Sequence, residues 1–270
     1  MLRFLRLSSL MGLLWLVVGC ASNNDPTIGW SVEKLHEEAK SEMAAGAYEK
    51  AIGLYDKLEG RAAGTVLSQQ AQLEKAFAQF KNNEPILAVA TLDRFIRLNP
   101  VNPALDYALY LKGTINFNDD LGLLGGILKP DLSERDQMAA RQSFEAFKEL
   151  VTRFPDSRYA PDSIARMQYI VNTLARSELN VAKYYLRTGA CVAAVNRAQT
   201  VVQDFPSSAS IEEALGILMR CYDTLGLTAL RDDNKRILEK NFPNSPLLGK
   251  PIVKVAPTAD PLKKPWWKLW

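Results

Sequence analysis

The sequence holds 270 residues, 33 of them lysine or arginine against 30 acidic, for a formal net charge of +3. With a leader set aside, that length admits one elongated repeat domain or two compact ones and does not choose between them. Charge says more when divided along the chain: loss of Arg3 and Arg6 lowers the total to +1, residues 250–270 hold five lysines against Asp260 and carry +4, and residues 20–249 are left with −3. A body of that sign gives nucleic acid no electrostatic footing as a partner.

Residues 1–19 read as a signal peptide. Arg3 and Arg6 supply the positive start, and the almost wholly apolar run from Leu7 to Val18 falls well short of the roughly 20 residues a membrane-spanning helix needs. It closes on Val17-Val18-Gly19-Cys20, a string that resembles the lipobox of bacterial lipoproteins. The resemblance implies cleavage before Cys20 and acyl chains on its sulfur and amine. Two or more chains anchor stably where one does not, so the mature protein is expected to be tethered to a membrane and not threaded through it. In lipoproteins an aspartate after the cysteine commonly causes retention at the inner membrane. Ala21 stands there instead, which points to the outer membrane, facing the periplasm. Residues 20–30, mostly polar or small, are read as the lipidated tether.

Beyond the tether the chain repeats itself. Pro100, Pro155, Pro206 and Pro243 each end a helical stretch, the last three after phenylalanine. Twelve residues before each lies Ala88, Ser143, Ala194 or Arg231; eight before lies Leu92, Phe147, Ala198 or Lys235; seventeen before lies Asn83, Met138, Gly189 or Gly226. Projected upstream, the frame finds Gly46-Ala47-Tyr48, Ala51 and Tyr55, with Ala63 in place of the proline. These positions resemble the second half of a tetratricopeptide repeat: a turn glycine, a small residue where two helices touch, an aromatic four residues later, and a terminating proline. The units recur at intervals of 37, 55, 51 and 37 residues, against about 34 for the repeat family, so two carry insertions. The predicted fold is all-α, a superhelical array of about five tetratricopeptide-like helical hairpins, each unable to bury its apolar stripe without a neighbour. Helical spacing marks Leu35, Ala39 and Met43 in the first helix, Leu73, Ala76, Phe77 and Phe80 in the third, and Leu215, Leu218, Met219 and Tyr222 in the ninth. Arg231 and Lys235, where small and aromatic residues are usual, suit a last unit that faces water.

Residues 31–117 form the predicted N-terminal repeat half, ending in a helix with Tyr107, Tyr110 and Leu111. Residues 118–160 hold an insertion loop, with three glycines and Pro130 between Asn118 and Ser133, and then the second helix of the third repeat. From Pro161 to Thr188 there is no glycine and no further proline, so 161–188 reads as one helix of about 40 Å joining the two halves rigidly. Residues 189–249 are the C-terminal repeat half, and 250–270 a basic, aromatic tail.

The run Asp93-Arg94-Phe95-Ile96-Arg97-Leu98-Asn99-Pro100, continuing through Pro103, Asp106-Tyr107, Tyr110, Gly113 and Phe117, resembles the junction of the second and third repeats in the BamD family, lipoproteins of the outer-membrane β-barrel assembly machinery. Ser133-Glu134-Arg135-Asp136, Ala182-Lys183-Tyr184-Tyr185 and Val195-Asn196-Arg197 extend the likeness. It implies a periplasmic scaffold that docks a POTRA domain of the barrel protein BamA through its C-terminal half, alongside companion lipoproteins of the same complex. It also implies that unfolded outer-membrane precursors are received on the N-terminal half. Carried over residue by residue, the partner-binding candidates are Arg197, Tyr184 and Tyr185; an arginine there suits a carboxylate, which its planar fork grips with two bonds. The precursor-binding candidates are Tyr48, Tyr55 and Arg61. One departure bears on them: the family's first repeat tends to end in an aromatic-proline turn, and Arg61-Ala62-Ala63-Gly64 stands there instead. The competing reading is another periplasmic repeat lipoprotein, such as a pilus pilotin or a cell-envelope coordinator.

Catalytic patterns are missing from the sequence. There is one histidine, His36, and no HExxH, CxxC, GxSxG or phosphate-cradling glycine loop. Acid pairs such as Asp119-Asp120, Glu212-Glu213 and Asp232-Asp233 are adjacent and point apart on a helix, as solvated faces do. No enzyme, metal site or cofactor is expected. Cys191 and Cys221 fall at a similar height on neighbouring antiparallel helices, which leaves either a disulfide, permitted in an oxidising periplasm, or two buried free thiols. Residues 31–249 contain no tryptophan, whereas Trp266, Trp267 and Trp270 crowd the lysine-rich end. That composition suits a membrane interface or a partner surface.

Overall fold

The computed structural model describes residues 25–117 and 134–249. Cys20, the insertion at 118–133 and the tail with Trp266, Trp267 and Trp270 lie outside the described residues. Ten α-helices and no strand are found among those described: α1 Val32–Ala44, α2 Tyr48–Arg61, α3 Val66–Lys81, α4 Pro85–Leu98, α5 Leu105–Asn116, α6 Glu134–Arg153, α7 Ala160–Arg187, α8 Cys191–Asp204, α9 Ile211–Thr224 and α10 Thr228–Asn241. They follow one another as five pairs, an all-α array of helical hairpins.

Two kinds of turn, each used repeatedly, produce this order. Helices α1, α3, α7 and α9 end with a residue in the left-handed region, at Gly46 (φ 76°), Asn83 (62°), Gly189 (75°) and Gly226 (74°). At each, the next residue's N–H reaches back five positions: Ala47 to Glu42, Glu84 to Gln79, Ala190 to Tyr185 and Leu227 to Tyr222, at 2.8–3.0 Å. This is the Schellman closure, which satisfies carbonyls that a helix end leaves bare. Met138 is the exception to the frame: it lies inside α6.

The second turn closes α2, α4, α6, α8 and α10. Ala62, Asn99, Phe154, Phe205 and Phe242 each donate to the carbonyl four residues earlier, at 2.8–3.2 Å, and their own carbonyls accept from the residue three further on. The first unit keeps this geometry without a proline. Gly64 takes φ 81°, and the Thr65 hydroxyl donates to Ala62 O at 2.7 Å while accepting from the Ser68 N–H at 3.2 Å. The expected departure there changes the chemistry of the turn and leaves its hydrogen bonds in place.

The frame positions fall where helices touch. Ala51, Ala88, Ser143 and Ala194 are fully buried, as are Leu92, Phe147 and Ala198, with Tyr55 at 1% exposed. Lys235 in the last unit is exposed and Arg231 half-buried.

Two compact units result, residues up to Ala78 and from Gln79 onward, so that the division falls within α3. In the first unit Leu35, Ala39, Ala51, Tyr55, Leu58 and Ala71 pack together, with Trp30, Met43 and Leu67 against them. Burial of each such large side chain contributes about 1.5–3 kcal/mol. Of the second unit's clusters, one runs from Phe147 on α6 through Ile170, Leu174, Leu179 and Ala182 on α7 to Val201, Leu215, Leu218 and Leu238. The 28 residues of α7 form one uninterrupted helix. Its apolar stripe belongs to the same core as α6, α8 and α9, so α7 lies inside the second unit.

Cys191 and Cys221 are both buried free thiols. Burial, and then the neighbouring Cys191 thiol, push the Cys221 thiol far above its ordinary range.

Candidate peptide-binding groove and partner face

The tyrosine-rich junction works as a staple between α5, α6 and α7. Gly113 lets α6 come close: a Cβ there would sit 2.5 Å from the Phe147 ring. The Ser143 hydroxyl donates to Gly113 O at 2.8 Å across the same contact. Tyr110 stacks on Tyr159 with ring centroids 4.6 Å apart, and Tyr107 meets the same ring at 5.9 Å. The Tyr110 hydroxyl donates to Asp162 Oδ2 at 2.9 Å, which also accepts from Arg166 Nε at 2.7 Å. Burial, then Asp162, raises the Tyr110 hydroxyl above its ordinary range. For Asp162 burial acts upward but is outweighed by the bonds from Arg166 and Tyr110, so its carboxyl is held low. Stacked rings and a shared carboxylate fix the angle at which α7 leaves the α5–α6 pair.

A groove of about 530 Å³ is walled by α4, α5 and α6. Val89, Met138 and Ala146 give it apolar floor, and Asp93, Lys112, Arg141, Glu145, Lys148, Glu149 and Arg153 give it charge of both signs. Asp93 and Lys112 pair at 2.6 Å, as do Glu149 and Arg153. A groove with small apolar patches and alternating donors and acceptors suits the backbone of an extended peptide, which offers both in every residue. Sequence reasoning missed it. The three helices bring together residues from 89 to 153, and no local pattern marks that convergence.

The N-terminal candidates do not form one site. Tyr48 and Arg61 stand at opposite ends of α2, about 20 Å apart at helical rise. Tyr55 belongs to the core of the first unit, where burial, then Glu74, raises its hydroxyl far above the usual range, and it offers no surface to a precursor. Arg61 donates to the backbone carbonyls of Thr27 and Trp30, a structural use of its fork. Tyr48 is half-buried at the start of α2. The lone histidine bridges helices of the first unit, with Nε2 2.7 Å from Glu74 Oε2.

The C-terminal candidates share one region of the second unit. Arg197 on α8 is 48% exposed and donates through Nη1 to Glu178 Oε2 of α7 at 3.1 Å, leaving Nη2 and Nε without a partner among the described residues. Glu178 and Tyr185 lie seven residues apart on α7, hence on one face. Tyr185 packs on the core, Tyr184 is 55% exposed, and their rings meet edge to face at 5.6 Å. The Arg197 guanidinium, held on one side by Glu178, keeps donors that can bind a further carboxylate. No group of three His, Cys, Asp or Glu is placed to hold a metal ion among the described residues.

Residues 30–237, which include both the groove and this face, match the family model described as YfiO, outer membrane lipoprotein. The chain belongs to that family. A relative in Neisseria meningitidis serogroup B, named outer membrane protein assembly factor BamD, is 43% identical over 244 residues, covering 90% of this chain and 89% of its own. Relatives of the same name in Vibrio cholerae serotype O1 and Haemophilus influenzae are 32% and 30% identical, covering 89% and 94% of this chain and 99% and 100% of theirs. A solved putative kinesin light chain with TPR-like repeats, from Podosopora anserina, is 15% identical with a TM-score of 0.35, covering 79% of this chain and 97% of that one.

Proposed function

We propose that this protein is a non-catalytic scaffold of the outer-membrane β-barrel assembly machinery, anchored by lipid at Cys20 and facing the periplasm. The observation that carries the reading is similarity along nearly the whole chain to relatives named outer membrane protein assembly factor BamD. Those relatives favour it over a pilus pilotin or another envelope repeat protein. In the proposal, unfolded barrel precursors lie in the α4–α6 groove, whose mixed charge and apolar floor hold an extended chain without demanding one sequence. Tyr48 and Arg61 on α2 stay candidates for a further precursor contact, whereas Tyr55 lies in the core of the first unit. Arg197, with Tyr184 and Tyr185 beside it, docks an acidic residue of a BamA POTRA domain, using the donors that Glu178 leaves unused. Companion lipoproteins complete the complex.

The test is copurification from crosslinked outer membranes. A photoreactive residue at Met138, which lines the groove with its side chain well exposed, should capture barrel precursors, and the wild-type protein should recover a POTRA-bearing barrel. Recovery of a secretin in its place would overturn the assignment. Arg197→Glu should weaken recovery of the barrel protein at moderate salt, and unchanged recovery would remove the arginine from the interface. Cys20→Ser should leave a full-length precursor that takes up no palmitate analogue.

A further inference from the structure

Asp25 follows Cys20 by five residues, and from Asp25 onward the chain is fastened to the first hairpin. Asp25 Oδ1 accepts from Lys57 Nζ at 2.6 Å and from the Thr27 N–H and hydroxyl at 3.0 and 2.7 Å. Arg61 at the end of α2 donates Nη2 to Thr27 O at 3.1 Å and Nη1 to Trp30 O at 3.0 Å. Turn bonds from Ile28 N to Asp25 O and from Trp30 N to Thr27 O, both 3.1 Å, close the segment on itself. The Lys34 ammonium lies 4.3 Å from the Trp30 ring centroid. Residues 25–30 are therefore a folded strap and not slack tether. What remains between Cys20 and Asp25 spans at most about 17 Å when fully extended.

The strap sits at one end of the α1–α2 hairpin, together with the last turn of α2, the Ala62–Thr65 turn and the first residue of α3. Among the described residues of the first unit, two large aliphatic side chains stand out in solvent, Ile28 at 75% and Val66 at 80% exposed. Both are at this end. The opposite end, the Ala45–Ala47 turn, has none.

We infer that this end of the first hairpin is a membrane-facing surface, on which the strap seats Ile28 and Val66 against the bilayer interface whenever Cys20 is acylated. The inference rests on the lipid anchor proposed above. The occupant is a lipid surface because the short tether allows little else to come between: an anchor less than about 17 Å away brings this end to the headgroups before any other part of the unit. Two aliphatic side chains are too little to hold a free protein at a membrane. Held by the anchor at an effective concentration of roughly millimolar, they suffice to orient one already there. The consequence is functional: the first unit is docked by one end and does not swing on a flexible leash.

Depth-dependent quenching on the full lipidated protein tests this, in vesicles of phosphatidylethanolamine and phosphatidylglycerol that contain a headgroup-region nitroxide lipid. An environment-sensitive thiol dye is placed at Val66→Cys or, as a control at the far end, at Ala45→Cys. Cys191 and Cys221 are buried and stay unlabelled. The expected result is severalfold stronger quenching at position 66 than at 45, reduced by Ile28→Asp without release of the protein from vesicles. Equal quenching at the two positions, or quenching at 66 that ignores Ile28→Asp, overturns the inference. Intact mass of the same sample reads the anchor separately. A protein without acyl chains removes the anchor, and the inference with it, whereas an acylated protein with no quenching at 66 leaves the anchor standing and removes only the surface.

Discussion

Two glycines show how differently the same substitution acts in this molecule. At Gly113 an added Cβ meets Phe147 Cε1, Cδ1 and Cζ within 2.8 Å, and that ring is fully buried in the core between α6 and α7. At Gly216 the obstacle is the Cδ1 of Leu247, the far end of a side chain that can turn aside. Gly113→Ala should therefore cost about 1–3 kcal/mol, in the range of overpacked cores, and Gly216→Ala clearly less, both read from urea midpoints with an unchanged slope. A Gly113→Ala protein as stable as wild type would mean that the junction is looser than its rings suggest. The cysteines give a second prediction at this scale. Thiols react as thiolates, and burial disfavours the thiolate; Cys221 is held far above its ordinary range by burial and by Cys191. In the native protein neither thiol should react with an alkylating agent, and in denaturant without reductant both should. If neither reacts in denaturant, the pair closes to a disulfide in the cell. The repeat register gave their matching height from sequence alone, but whether the sulfurs are joined depends on oxidant as much as on geometry.

Among the helices, what could be read in advance was what recurs. Gly46, Gly189 and Gly226 were legible as turn formers because only a residue at ease with positive φ ends a helix in this way, and Asn83 takes the same conformation for the reason asparagine often does. The bounds of α7 followed from the absence of breakers. Its place did not: periodicity shows that a helix has an apolar stripe without showing which helices cover it. The strap was also illegible, since Asp25, Lys57 and Arg61 belong to no repeat position and meet only after α2 folds. It makes a prediction about pH. The Lys57 ammonium, with the Thr27 hydroxyl and N–H, holds the Asp25 carboxyl well below its ordinary value of 3.8. A carboxyl depressed in the folded state contributes stability that is fully present above that ordinary value and is lost as pH falls below it. Protection of the Thr27 amide against hydrogen exchange, corrected for intrinsic rate, should therefore hold from neutral pH down to about 4 and decline below it. Asp25→Asn should lower the protection and remove its pH dependence. Protection that persists in Asp25→Asn would show that the amide oxygen serves the Thr27 N–H as well as the carboxylate does, and that the Lys57 charge contact is not what holds the strap.

In the whole molecule, the groove and the partner face both belong to the unit from Gln79 onward, and the strap belongs to the unit before it, so each unit has a distinct task in the proposed scaffold. The family was legible because a tyrosine-rich junction with Gly113 behind it is a packing solution, not a generic repeat feature. The groove was not, because it arises from three helices at once. The tail adds a question of attachment. Trp266, Trp267 and Trp270 stand among lysines, while Trp30, the other tryptophan after Cys20, packs partly buried against the first unit's core with Lys34 near its ring. Tryptophan favours the wet edge of a bilayer and lysine favours anionic headgroups, so the tail is expected to give a second point of membrane contact, separate from Cys20. A protein produced from residue 21 onward lacks both the leader and the proposed anchor at Cys20, and its strap end, with only Ile28 and Val66 to offer, should not by itself hold it at a surface. Emission of that protein should still shift to the blue when anionic vesicles are added, and deletion of residues 265–270 should abolish most of the shift. An equal shift after the deletion would assign it to Trp30, which would credit the strap end with membrane affinity of its own and leave the tail without the role.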